Sequence, residues 1–402
     1  MTTLISSHRI AAPAAEGGAP AKTAHAPFLP TLVTFVATAL LATGQLYGVI
    51  PLLGAMGREW HAPASALTWM ASAFGFGYAA GFLVFGPLSD RFGRRRIIVT
   101  GIAATAVTTA LVSLAPGLGA AIALRVLQGV TTAAFAPVAF TYIAERAEQR
   151  HRATLLSAVI GAFLASAVFG QLAAQGIAAV AGWRAVFAVF AVAFALVAAA
   201  LRKVMLPGRP DTAGSPLDAY RAMPRLLAHR RLIPLYLATP VVLGSFVALY
   251  TGLALTGAAG GAAALLALRA AALPAIIAIP FVTPALQRFH GAHRATGALT
   301  LTAVAAALIG FAHPGTLGLA ILLNAFVAGI GLTAPALIET IGGHAGPARG
   351  TAVSLFTFIL FVGASFGPQV AGALSAHGLP ALAYVLGALL ALGATLTLTA
   401  RR

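Results

Sequence analysis

Arg125, Gln128 and Thr132 stand at i, i+3 and i+7 within an apolar stretch, a spacing that lines them along one helical face. Thr34, Thr38 and Gln45 form a second polar row, at i, i+4 and i+11. Rows of guanidinium, amide and hydroxyl groups can hold a small molecule by charge and hydrogen bonds, and Arg125, Gln128 and Gln45 are the candidate ligands here. Arg269 is the other cation set within apolar sequence, seven residues or about 10 Å from the end of its stretch. Two readings of it stand: a ligand for an anionic group, or a side chain whose head snorkels to the nearest water.

The chain around these groups is 60% hydrophobic and 8% charged, with a mean hydropathy of +0.94 over 402 residues. No single water-soluble core can hide that much apolar surface, so the solvent of the fold is lipid, where ionisable side chains become functional suspects. Apolar stretches long enough to cross a bilayer, about 20 residues each, fall at 28–53, 64–88, 97–115, 118–142, 153–177, 183–201, 232–255, 262–286, 295–312, 316–340, 351–374 and 379–400. The expected fold is therefore all-α and integral to the membrane, with twelve transmembrane helices in two six-helix bundles. Residues 1–27, rich in Ala, Pro and Thr, read as a disordered cytoplasmic tail.

With both termini cytoplasmic, 21 of the 25 Lys and Arg fall on that side, Arg58 and Arg184 fall outside, and Arg125 and Arg269 lie within helices. Basic loops are retained in the cytoplasm, so this topology is the expected one. The net charge of +17 would suggest nucleic acid in a soluble protein, but its placement follows topology, and no nucleic-acid partner is expected. Absent cysteine removes disulfides, thiolate metal sites and cysteine nucleophiles.

The longest polar connection, residues 202–231, divides the chain into helices at 28–201 and 232–402. "RATLLS" at 152 recurs as "RGTAVS" at 349, "FGQ" at 169 as "FGPQ" at 366, and "RF" at 91 recurs at 288, each displaced by 197 positions. A half-chain repeat among membrane helices points to a transporter with its site between the halves.

Between the second and third stretches runs "GPLSDRFGRRR", residues 86–96. It resembles the loop motif of the major facilitator superfamily, with Gly86, Leu88, Asp90, Arg91, Gly93, Arg94 and Arg95 in place. "RVLQG" at 125–129 is similar to that family's fourth-helix motif and "GWR" at 182–184 to its entry into the sixth helix. Within the family the chain looks most like the twelve-helix drug:proton antiporter type of bacterial exporter. The resemblance implies that helices 1, 4, 7 and 10 line a cavity, which adds Tyr250 and the only asparagine, Asn324, to the candidate ligands. The antiporter signature of the fifth helix is present there only as "SAVFGQLAAQ", whereas the eleventh carries a nearer match, "GASFGPQVAG". The second copy of the loop motif has Gln287 where the first has Asp90.

Asp90 has two readings: a latch that holds the amino end of the eleventh helix when the cytoplasmic side is closed, or a counter-charge to the arginines around it. The latch would comprise Gly86, Asp90, Arg91, Gly93, Arg94 and Glu145, the last pairing with Arg94 or Arg95. GxxxG pairs at Gly77/Gly81 and Gly363/Gly367 suggest helices 2 and 11 packing face to face.

No Asp, Glu, Lys or His falls near the middle of any stretch, which disfavours a strongly cationic ligand and leaves neutral amphiphiles or organic anions. No HExxH or GxxxxGK[ST] segment is present, so neither an enzyme, an ATP-driven pump, a cofactor nor a metal is expected. The expectation is a secondary transporter exporting small amphiphilic compounds by alternating access in exchange for protons, monomeric, in a bacterial inner membrane. A facilitator or uptake porter for a neutral or anionic metabolite, and a receptor or scaffold on a degenerate transporter fold, are the alternatives.

Overall fold

The computed structural model describes residues 25–207, 216–286, 288–312 and 314–400, and gives the backbone alone at a few positions within them, Asp90 included. Residues 1–24 of the expected tail, part of the linker and Gln287 lie outside the described residues. The described chain is helical and contains no strands.

The first half consists of α1 (Phe28–Gly48), α2 (Trp69–Phe92), α3 (Arg94–Ser113), α4 (Leu118–Thr132 and Ala136–Arg146), α5 (149–181) and α6 (183–204). The second consists of α7 (Ile233–Leu255), α8 (Ala262–Ala270 and Leu273–Leu286), α9 (Gly291–Ala312), α10 (Thr316–His344), α11 (Arg349–Leu374) and α12 (Gly378–Thr399). A linker helix, Pro216–Leu227, lies between the halves. By length and hydropathy nine stretches among the described residues can cross a membrane. Two of them, Ala165–Val204 and Arg349–Thr399, are hairpins of two helices each, and α8 is the shorter one left over, which accounts for twelve.

Both hairpins turn at a glycine in the same left-handed conformation, Gly182 (φ 79, ψ 171) and Gly378 (φ 79, ψ 175). Only glycine adopts such a backbone without strain, so these residues end one helix and start the next within a single step. The sequence reading places unbroken helices at 118–142 and 262–286, and there the structure differs. Pro137 and Pro274 lack the N–H that a continuing helix needs, and α4 and α8 are each interrupted two or three residues before them.

The repeat extends to packing. In the first half α1 packs on α5, α3 on α6 and α2 on α4; in the second α7 packs on α11, α9 on α12 and α8 on α10. Gly170 and Gly367, the glycines of the repeated "FG" pairs, do the same work. A Cβ on Gly170 would lie 2.5 Å from the Gly44 carbonyl oxygen, and one on Gly367 would lie 2.6 Å from that of Gly244. Backbones this close need small residues on both sides.

The GxxxG pairs act within the halves, contrary to the face-to-face packing of α2 and α11 through them. Gly77 and Gly81 press on Val126, Val130 and Ala133 of α4, while Gly363 and Gly367 press on Pro240 and Gly244 of α7. Helices α2 and α11 do meet, but through Gly75, where an added Cβ would lie 3.3 Å from Ser365 Cα. Two residues along a helix is about 200° of rotation, so Gly75 and Gly77 cannot serve one neighbour.

Candidate functional site

The side-chain contacts described between α2 and α11 run from the end away from the linker to the middle of both helices, and nearer the linker the linker helix touches both, Tyr220 donating to the Leu83 carbonyl at 2.9 Å. Thr68 lies against Gly372, Gln369 Nε2 donates to Ser72 Oγ at 3.0 Å, and the rings of Phe76 and Phe366, Tyr78 and Phe361, and Phe82 and Phe361 stack at centroid distances of 5.1, 4.8 and 5.1 Å. Tyr47 of α1 meets Phe246 of α7 at 5.7 Å. One apolar core runs through both halves and continues to Leu226 of the linker helix, whereas a second, including Phe35, Ile98, Tyr142 and Leu201, draws on the first half alone. Toward the linker, a Cβ on Gly86 would have no atom within 4 Å.

Arg125 is fully buried and each of its three nitrogens is engaged. Nε donates to the Met70 carbonyl at 2.8 Å, Nη2 to the Gln45 carbonyl at 2.9 Å and Nη1 to Gln128 Oε1 at 2.7 Å. Its guanidinium lies over the Phe74 ring at 4.5 Å. Gln128 in turn donates to Thr109 Oγ1 at 2.7 Å. The result ties α1, α2, α3 and α4 together, so this row is consumed by the scaffold. Gln45 contributes its backbone to that knot, while its side-chain Nε2 is buried with no partner among the described residues.

Asn324 is also occupied. Its Oδ1 accepts from the Ala275 amide at 3.2 Å and its Nδ2 donates to the Ala271 and Ala320 carbonyls. A continuous helix would join Ala275 to Ala271 directly, so the amide of Asn324 staples the break in α8.

Arg269 differs. It is fully buried, yet only Nη1 approaches an acceptor, Gln175 Oε1 of α5 at 3.5 Å; Nε and Nη2 have no partner among the described residues. The snorkelling reading fails because the head does not reach water. Tyr250 lies within electrostatic reach, its hydroxyl likewise buried and unpartnered, and its ring packs on Phe246 at 4.8 Å. Tyr47, Phe246 and Tyr250 thus form an aromatic row that leads to an unsatisfied guanidinium between α5 and α8. Such a place can take a molecule with an apolar body and an acceptor or anionic head.

At the linker end, Gly93 (φ 90, ψ 137) closes α2 and opens α3, which turns the Arg94–Arg96 run. Arg94 donates to Ser89 Oγ at 2.5 Å and pairs with Glu145 at 3.0 Å, while Arg91 is exposed beside Phe92. The Asp90 side chain lies outside the described ones, so its contact with α11 has no geometry here. At the opposite end Glu59 accepts from Trp183 Nε1 at 2.7 Å and pairs with Arg184, whose Nη2 reaches the Ala115 carbonyl at 3.0 Å. Sequence reasoning counted Arg184 for its charge and within "GWR"; the signal it passed over was Glu59, the acid between the first and second stretches.

The Major Facilitator Superfamily model matches residues 35–268. A Streptomyces coelicolor chain named "Probable transporter SCO4007" is 31% identical over 402 aligned residues, covering 95% of this chain and 89% of that one. Multidrug transporter MdfA of Yersinia pestis is 28% identical over 205 residues, half of this chain. The match spans about half the length of several such relatives, 47% for MdfA. Among solved structures, the human organic anion transporter MFSD10 (TETRAN) superposes with a TM-score of 0.69 at 18% identity, covering 92% of this chain and 99% of that one, a likeness of fold. Matched helices, the paired half-chain packing and these alignments agree: the chain is a multi-pass membrane protein of the Major Facilitator Superfamily.

Proposed function

We propose that the protein is a secondary transporter that exports small amphiphilic compounds bearing an acceptor or anionic head, working by alternating access in exchange for protons. The observation that carries this reading is the buried guanidinium of Arg269 with two unpartnered nitrogens beside the Tyr47–Phe246–Tyr250 row. A fully buried cation without an acid is costly, and a ligand that supplies the missing acceptor recovers that cost. The bodies 28–201 and 232–402 move against each other, and the linker end is the cytoplasmic side of a bacterial inner membrane, as the basic loops favour. The seam at the end away from the linker is closed in this conformation, and the Asp90 latch is assigned to closing the cytoplasmic side in the other. Similarity to MdfA supports efflux.

A facilitator or uptake porter for an anionic metabolite is the second reading, favoured by the lack of any acid within the helix interiors. The test is accumulation in proteoliposomes of an amphiphilic carboxylate, a cation of equal size and a neutral analogue, with and without an imposed pH gradient. We expect gradient-driven accumulation of the carboxylate, reduced at least about tenfold by Arg269→Gln, one charge-assisted contact being worth about 1.5–3 kcal/mol. Equilibration without accumulation selects the facilitator; wild-type rates in Arg269→Gln, or preference for the cation, reject the site.

A further inference from the structure

At the linker end a pocket of about 510 Å³ opens between the junction of α2 and α3 and the end of α6, lined by Arg95, Arg96, Arg202, Phe92, Val99 and Pro207 among others. Three arginines face one space, and among the described residues no acid lines it. Two carboxylates of the same half are engaged elsewhere, Glu145 with Arg94 and Glu148 with Arg150 and His151. Arg95 spends one nitrogen on the Arg202 carbonyl, which fixes the guanidinium at the pocket wall, and its Nε is buried without a partner among the described residues. The first turn of the 20-residue α3 has no side-chain cap, and Gly93, where it starts, is among the residues lining the pocket. Phe92, 45% exposed, forms an apolar rim.

We infer that this pocket binds the phosphate group of an anionic phospholipid, its acyl chains lying along Phe92 and Val99. Three arginines around one cavity match the several oxygens of a phosphate, which planar guanidinium groups bind two at a time. An uncapped helix start adds N–H donors and a favourable dipole for the same anion. The position, where α2, α3 and α6 all end at one face of the bundle, is the level of lipid headgroups, and basic pockets between membrane helices there favour anionic lipid. The second half offers the contrast. Its pocket at the start of α9 is lined mainly by Leu286, Phe289, Leu301, Leu332 and Pro335, and its one arginine, Arg294, is paired with Glu339. The lipid site is thus assigned to the first half, and an occupant would brace the junction of α2, α3 and α6.

The experiment uses the purified full chain in detergent, with the shift in melting temperature measured against phosphatidylglycerol, phosphatidylcholine and inorganic phosphate. Phosphatidylglycerol is expected to raise the melting temperature, with phosphatidylcholine and phosphate ion having little effect. Arg96→Gln and Arg202→Gln, both at exposed side chains, should each weaken the phosphatidylglycerol response about fivefold, while Arg225→Gln, outside the pocket, retains it. Reading the shift against each variant's own lipid-free baseline separates binding from folding. Equal responses to the two lipids, or undiminished responses in both pocket variants, overturn the site. A response to inorganic phosphate as large as that to phosphatidylglycerol overturns the lipid assignment and makes it a free-anion site.

Discussion

The two halves of the molecule share a scaffold and differ in what they do with a buried arginine. In the first, Arg125 meets two carbonyls, an amide and an aromatic face, so its charge is spent on holding four helices together. In the second, Arg269 reaches one long contact and leaves two nitrogens unmet. The first is a fastener, whereas the second keeps Nε and Nη2 unpartnered among the described residues. A repeat can thus keep its helix contacts while its two buried arginines differ in partners, and under the proposed function stability and recognition are divided between the copies.

The strongest way to break this comparison is to remove both charges in turn. Arg125→Leu strands acceptors on α1, α2 and α4 and should cost about 3–5 kcal/mol, seen as a large fall in melting temperature and in folded yield. Arg269→Gln should leave the melting temperature unchanged or raised, since it removes an uncompensated cation. A reversed order would mean that the roles have been assigned backwards. Next in size, Gly170→Val and Gly367→Val should each lose about 1–3 kcal/mol by overpacking at equivalent crossings; harmless substitution at one of them would end the claim of a shared scaffold.

A smaller effect concerns the seam between the halves. Gln369→Ala deletes the bond to Ser72, worth about 0.5–1.5 kcal/mol, and should raise the population opened at that end about two- to tenfold. The chain has no cysteine, so a single Thr68→Cys in the seam reports the change as faster labelling. Unchanged labelling would remove that bond from the gate. The smallest effect sharpens the comparison: Glu145→Gln and Glu339→Gln break half-exposed ion pairs at matching places, and each should cost under about 1 kcal/mol in thermal unfolding.

Much of the fold was legible because lipid imposes long apolar stretches and charges punctuate them. The repeats "FGQ" and "FGPQ" marked glycines that the packing uses identically. The partner of a small-residue face was not legible, since Gly77 and Gly363 advertise close approach without saying to which helix. Pro137 and Pro274 were visible but were read through as continuous helix. The sharpest gap lies at the arginines. Arg125 is satisfied by the backbone of Met70 and Gln45, and a carbonyl carries no mark in the sequence, so nothing there separated a satisfied guanidinium from an orphaned one. Asn324 was a candidate ligand by position, yet the break beneath Pro274 claims its amide.

The aromatic pairs across the seam, Tyr47 with Phe246, Phe76 with Phe366, and Tyr78 and Phe82 with Phe361, set a resting posture. At about 0.5–1.5 kcal/mol for each such pair, parting them costs an idle molecule roughly 2–6 kcal/mol. Cargo must return that sum through its own contacts before the far door opens. On the proposed transport cycle, poor fits are turned away by energetics as well as by shape, and three of these four ring contacts lie outside the aromatic row beside Arg269.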